Sequence, residues 1–243
     1  MKKLKIWALA LFLKGGEVMD HKKRIKILTG HFGSGKTEIS INIAIKEAKQ
    51  FPKVALNDLD VINPYFRSRD VGEHLGKLGV ELIAPKGILA TADLPIVSPE
   101  IYRVLKDKSY RVIIDVGGDK DGATALGQYY HDLKDEDYEL LFVINANRPY
   151  VSSVDGVINT IHQIETVSRL RVTGLINNTN LGCADTTVDN LLQGNEIAED
   201  VSDKLGIPFL YTTLSENISD TGEFEALTNI NYIKRFMTLP WEK

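Results

Sequence analysis

Residues 30–37 read Gly30-His31-Phe32-Gly33-Ser34-Gly35-Lys36-Thr37, a complete G-x-x-x-x-G-K-[ST] phosphate-binding loop. The apolar alternation at 24–29 predicts a strand before it, and the glycine- and proline-free stretch at 38–46 predicts a helix after it. That order is what a phosphate cradle requires. Glycines let successive backbone N–H groups turn inward around phosphate oxygens, and the helix adds its positive N-terminal end. All of Gly30, His31, Phe32, Gly33, Ser34, Gly35, Lys36 and Thr37 are therefore candidate nucleotide-binding residues. Lys36 is expected to reach the β- and γ-phosphates, and Thr37 to ligate Mg2+.

The rest of the chain has to supply a core around that loop. Its 243 residues, 43% hydrophobic and 26% charged, suit one large α/β domain. A net charge of -4 argues against a general nucleic-acid or anionic-membrane surface. Cys183 is the only cysteine, which excludes an internal disulfide and any multi-cysteine zinc or iron–sulfur site within one chain.

Lys2, Lys3 and Lys5 ahead of the apolar run 6–13 imitate a signal peptide, but that run is too short to span a bilayer as a helix. Gly15-Gly16-Glu17 can be encoded by a purine-rich sequence resembling a bacterial ribosome-binding site upstream of Met19. The expectation is a start at Met19, a leader at 1–18 outside the native domain, and a single nucleotide-binding domain at 19–243.

Strands are predicted at 23–29, 53–58, 80–84, 111–116, 139–145, 171–177 and 208–213, with helix-forming stretches such as 153–170 and 188–205 between them. This is the pattern of an α/β fold, a mostly parallel sheet of about seven strands with helices on both faces. The irregular stretch 85–99 reads as a loop or lid beside the site, and 229–237 as a C-terminal docking helix.

Ligands of open α/β sheets bind at the carboxyl ends of strands, so acidic residues there carry most information. Asp115 ends the buried run 111–114 and precedes Val116-Gly117-Gly118, the Walker B arrangement. Its carboxylate is a candidate Mg2+ ligand, and the backbone N–H of Gly118 is a candidate γ-phosphate sensor. Asp58 and Asp60 leave the second strand as an Asp-Leu-Asp triplet. Two acids so close repel unless a cation compensates, which suggests a metal or water-activating role; the simpler reading is a turn cap beside a solvated Asp.

Together these segments resemble the MinD/ParA/Mrp group of P-loop ATPases (the CobQ/CobB/MinD/ParA nucleotide-binding group) over most of 24–213. The group includes dethiobiotin synthetase, nitrogenase iron protein and metal-inserting ATPases. The resemblance makes Asp58 and Asp60 a switch I motif, with Asp60 positioning the attacking water and touching the metal. It makes Asp115-Val116-Gly117-Gly118 the Walker B and switch II segment, and Asn178, or second Asn177, the adenine contact. No N-K-x-D guanine signature is present, so ATP is expected over GTP.

One departure concerns the group's signature lysine, which reaches across a dimer to the partner's phosphates: His31 stands in its place, and Phe32 replaces the next glycine. An imidazole is shorter and lacks a fixed charge, so His31 is expected on the loop surface. Arg67 and Arg69 offer a replacement charge.

The functional expectation is a cytoplasmic Mg2+-dependent ATP-binding protein and ATPase, a nucleotide switch using Lys36, Asp58 and Asp60 in catalysis and Thr37, Asp115 and Asp60 on the metal. Its partner is an unidentified protein or small molecule, a homodimer is implied, and neither nucleic acid nor membrane insertion is expected. The alternatives are an ATP-dependent small-molecule synthetase of the dethiobiotin synthetase type, and a non-hydrolysing nucleotide-gated module or metal-insertion ATPase.

Overall fold

A computed structural model describes residues 23–59, 71–84, 99–118, 120–181, 186–216, 227 and 229–237. The leader at 1–18, Asp60, Arg67, Arg69, the 85–98 part of the expected lid and Cys183 lie outside the described residues.

Eight strands form one sheet in the order β3-β2-β4-β1-β5-β6-β7-β8, every neighbouring pair parallel. In chain order they are β1 (Ile25–Thr29), β2 (Val54–Leu59), β3 (Val80–Ile83), β4 (Arg111–Val116), β5 (Tyr138–Ile144), β6 (Gly174–Asn177), β7 (Phe209–Ser215) and β8 (Ile230–Ile233). The helices are α1 (Lys36–Ala48), α2 (Gly72–Lys77), α3 (Glu100–Lys106), α4 (Lys120–Gly127), α5 (Tyr130–Leu133), α6 (Val154–Ser168) and α7 (Val188–Leu205). The seven predicted strands are all present.

Alternation along each strand sorts apolar side chains onto two faces. On one face Leu28, Leu56, Ile113, Leu141, Val143 and Ile176 pack against Ile39, Ile41 and Ala44 of α1 and Leu75 of α2. On the other Ile25, Ile27, Val112, Ile114, Leu140 and Phe142 meet α3 to α7 through residues such as Val104, Leu126, Leu133, Ile161 and Val201. Each fully buried aliphatic side chain contributes about 1.5–3 kcal/mol, and covering both faces explains why the central strands are apolar throughout.

The eighth strand corrects the expected C-terminal helix. Ile230 and Ile233 have helical spacing, yet this segment extends and pairs with β7, Thr212 facing Ile230 and Ser215 facing Ile233. The open edge of β7 offers a row of backbone donors and acceptors, and satisfying them outweighs the weak local periodicity of four residues. Residues 234–237 then run along α1: Asn42 accepts from Lys234 N at 2.9 Å and donates to Lys234 O at 2.8 Å.

Among the described residues no helix is long and apolar enough to cross a membrane.

Candidate nucleotide and metal site

The phosphate loop joins β1, flanked by β4 and β5, to α1. Helix α6 is capped by Ser153 and α7 by a Thr187–Asn190 capping box. Helix α1 begins instead at Gly35, with φ 86°, and has no side-chain cap. Its first N–H groups are thus left for a ligand, the arrangement that makes a helix N-terminus an anion site. A side chain at position 35 would be strained by the left-handed backbone and would approach Asn178 Nδ2 to 2.1 Å.

The loop is shaped from outside by residues far away in sequence. Asn178 Nδ2 donates to Ser34 O at 2.7 Å, Arg148 Nε to Gly33 O at 3.1 Å and Asn145 Nδ2 to Gly33 O at 3.4 Å. Lys36 is buried, and its ammonium donates to the carbonyl of His31 at 3.2 Å. Ser34 is also buried, and its hydroxyl has no hydrogen-bond partner, which leaves one donor inside the loop unsatisfied. These features fit a phosphate group.

The carboxylates come together as follows. Asp58 on β2 and Asp115 on β4 are register partners, 2% and 1% exposed. Each lies two residues beyond a side chain packed under α1, Leu56 and Ile113 respectively, so both acids face α1. Ser40 Oγ of α1 donates to Asp115 Oδ1 at 3.4 Å. Thr37 lies one helical turn earlier on the same face, nearer the loop.

A threonine hydroxyl and two carboxylates are hard oxygen donors, and they suit Mg2+, which takes one or two carboxylates and completes its shell with phosphate and water. No group of three or more His, Cys, Asp or Glu side chains able to hold a metal occurs among the described residues.

The Walker B turn touches the loop directly. A Cβ on Gly118 would lie 2.5 Å from Phe32 N and 2.9 Å from His31 C, so only glycine permits this approach. His31 sits on the loop surface with its ring against Tyr150, centroids 5.4 Å apart. Phe32 is 56% exposed beside it.

The two asparagines expected near the base are both engaged within the protein. Asn178 holds Ser34 and accepts from Thr213 Oγ1 at 2.5 Å. Asn177 is fully buried and bonds Leu191 O at 3.0 Å and Asn195 Oδ1 at 2.7 Å, which turns it toward α7. Of the two, Asn178 stands next to the loop.

Sequence reasoning missed Asn145, Arg148 and Ser40. The available signal was the polar run Asn145-Ala146-Asn147-Arg148 directly after the apolar strand β5, which pairs with β1. Strand order is needed to use it.

No protein-family model and no curated protein matches this chain. Solved structures do. FtsY of Thermotoga maritima superposes with a TM-score of 0.57 at 19% identity, over 89% of this chain and 71% of that one. FtsY of Mycoplasma mycoides gives 0.54 at 20% identity, over 84% and 64%. The signal recognition particle 54 kDa protein of Aeropyrum pernix, in complex with GDP, gives 0.51 at 19% identity, over 80% and 42%. The chain thus spans about two thirds or less of the length of the last two. The fold is that of the P-loop NTPases. At these identities the likeness carries the architecture alone.

Proposed function

We propose that this protein is a Mg2+-dependent ATP-binding switch that hydrolyses ATP, akin to the MinD/ParA group in its motifs. The observation that carries the reading is the conjunction of an uncapped α1 N-terminus behind a glycine loop with two register-paired aspartates on the α1 face. Backbone N–H groups of the loop would hold the β- and γ-phosphates, and Lys36 would exchange its bond to His31 O for phosphate oxygens. Thr37 and Asp115 would hold Mg2+, which supplies charge neutralisation on the phosphates when bound. Asp58, beside Asp115, would orient water within that shell, and Asp60 is assigned to the attacking water on motif grounds.

Gly118 gives the switch its physical basis. Its turn rests on the backbone of His31 and Phe32, so a γ-phosphate contacting either segment changes how the two pack. The base is assigned as adenine because the chain lacks N-K-x-D. The GDP complex of the Aeropyrum protein belongs to a chain of 19% identity and does not transfer its base preference.

Calorimetric titration with Mg·ATP and Mg·GTP, with and without EDTA, tests the proposal. Binding of Mg·ATP at least about tenfold tighter than Mg·GTP is expected. Equal affinities would remove the base assignment, and no heat from either nucleotide would remove the site.

A further inference from the structure

The peptide plane between Ser34 and Gly35 is the part of the loop that its own residues hold least. Gly33 and Gly35 flank Ser34 with φ of 72° and 86°, and glycine leaves such conformations as cheaply as it enters them. Ser34 is fully buried, but its hydroxyl finds no partner among the described residues and does not brace the backbone. Asn178 reaches this plane from outside. Its Nδ2 donates to Ser34 O at 2.7 Å and lies 2.1 Å from where a Cβ on Gly35 would stand, so the amide rests directly on the loop.

The orientation of that amide is not free. A carbonyl only accepts, so Ser34 O requires Nδ2 on its side and turns Asn178 Oδ1 the other way. There Thr213 Oγ1 stands 2.5 Å from Oδ1 and 3.2 Å from Asn177 O. The hydroxyl has one proton, and the nearer oxygen takes it. A flipped amide would set two carbonyl oxygens against each other at the 2.7 Å contact. Thr213 and Asn178 are both buried, so water does not replace the bond when the hydroxyl is lost.

A trans peptide carries its C=O and N–H on opposite sides. Ser34 O points outward to Asn178, which directs Gly35 N–H inward, where phosphate oxygens would lie. The preceding peptide has the same geometry: Arg148 holds Gly33 O from outside at 3.1 Å, while Ser34 N crosses the loop to His31 O at 3.2 Å.

We propose that Thr213 is a positioning residue for the phosphate loop, fixing the Ser34–Gly35 peptide through Asn178 with its N–H turned into the cradle. The residue acts on the amide and not on the phosphate itself. A plane set in advance spares the ordering that a mobile loop undergoes on binding, so its loss appears in affinity. The proposal rests on the reading of this loop as a phosphate site and not on the choice of base.

Calorimetric titration of the full chain with Mg·ATP, Mg·GTP and Mg·tripolyphosphate, which has phosphates but no base, tests the role. Thr213→Val keeps the shape, removes the hydroxyl and should weaken all three by about fivefold or more, each by a similar factor. Thr213→Ser should restore the affinity. In an Asn178→Ala background Thr213→Val should add less than about twofold, because the route to the loop is already cut. Melting curves check that each variant is folded, and Thr213→Ala, which lacks the same hydroxyl, stands in if the valine variant unfolds. Wild-type affinity in Thr213→Val, or failure of serine to restore it, overturns the proposal. So does a loss confined to one nucleotide with tripolyphosphate unchanged, which would make Thr213 a base contact. A full loss that persists in the Asn178→Ala background also overturns it, since the hydroxyl would then act through Asn177 O. If tripolyphosphate responds as expected while Mg·ATP and Mg·GTP bind equally, the ATP reading falls and the positioning role stands. If the wild type binds none of the three, both fall.

Discussion

Asp58 and Asp115 face each other across the β2–β4 ladder, both buried and both turned toward the helix that begins at the phosphate loop. Placing two carboxylates side by side away from water is costly unless a cation or a hydrogen-bond network offsets it. The pair sits at the carboxyl end of β2 and β4, where α/β folds keep their ligands.

Asp115→Ala should therefore weaken ATP binding in the presence of Mg2+ by about tenfold or more while changing binding in EDTA much less. The measurement is calorimetry at both conditions. An equal loss in each would mean that Asp115 supports the loop through Ser40 and does not act on a metal.

Lys36→Ala should abolish tight ATP binding, because the loop loses the charge placed inside it. Circular dichroism and a melting curve establish that the variant is folded; among its contacts is the bond from the ammonium to the loop's own carbonyl at His31. Undiminished affinity in a folded Lys36→Ala protein would contradict the assignment of this loop to phosphate.

Much of this was legible in the chain. Seven strands carried enough apolar residues to be read locally, and the loop motif points to where the candidate site lies. Asp115 was readable because it ends an apolar run, and its neighbour Asp58 was readable as an acid at a strand exit. Their pairing is not readable locally, because whether β2 borders β1 or β4 depends on sheet order. β8 was missed because a four-residue edge strand is decided by the partner it completes. The supports of the loop were missed for a related reason: Asn178 and Ser34 are 144 residues apart, and Arg148 and Gly33 are 115 apart. No local periodicity encodes such contacts.

Gly118→Ala should lower ATP affinity without unfolding the protein. The added methyl would meet the backbone of Phe32 at 2.5 Å, so the Walker B turn or the loop must move by several tenths of an ångström or more. A loss of about tenfold in affinity with a small change in Tm is the expected pattern, measured by calorimetry and a melting curve. Wild-type affinity would mean that the contact between the turn and the loop is incidental.

His31→Ala should leave assembly and turnover nearly intact. Its ring lies on the loop surface against Tyr150, which is itself 77% exposed, so little packing is lost. Sedimentation with ADP and with a slowly hydrolysed ATP analogue gives the answer. A dimer that forms with the analogue and vanishes in the variant would show that His31 reaches a second subunit.

Glu38 links the nucleotide loop to the C-terminal end of the described chain. It follows Thr37 directly, and its carboxylate accepts from Phe236 N at 3.0 Å and Met237 N at 2.6 Å. Glu38→Ala strands two backbone donors and should cost about 1–3 kcal/mol, seen as a lower Tm. The pH dependence has a definite sign. Burial pushes the Glu38 carboxyl above its usual range and outweighs the opposing pull of the two backbone bonds and the Arg235 charge. The folded state therefore holds the proton more tightly than the unfolded chain does. Stability from this group is fully present below the ordinary carboxylate pKa and is lost as pH rises through the raised one. Glu38→Gln removes the titration, so the gap in Tm between wild type and this variant should shift in favour of the variant as pH increases from about 4 to 8. A gap that stays constant, or that moves toward the wild type, would show that the carboxylate is better solvated than its contacts with the tail imply.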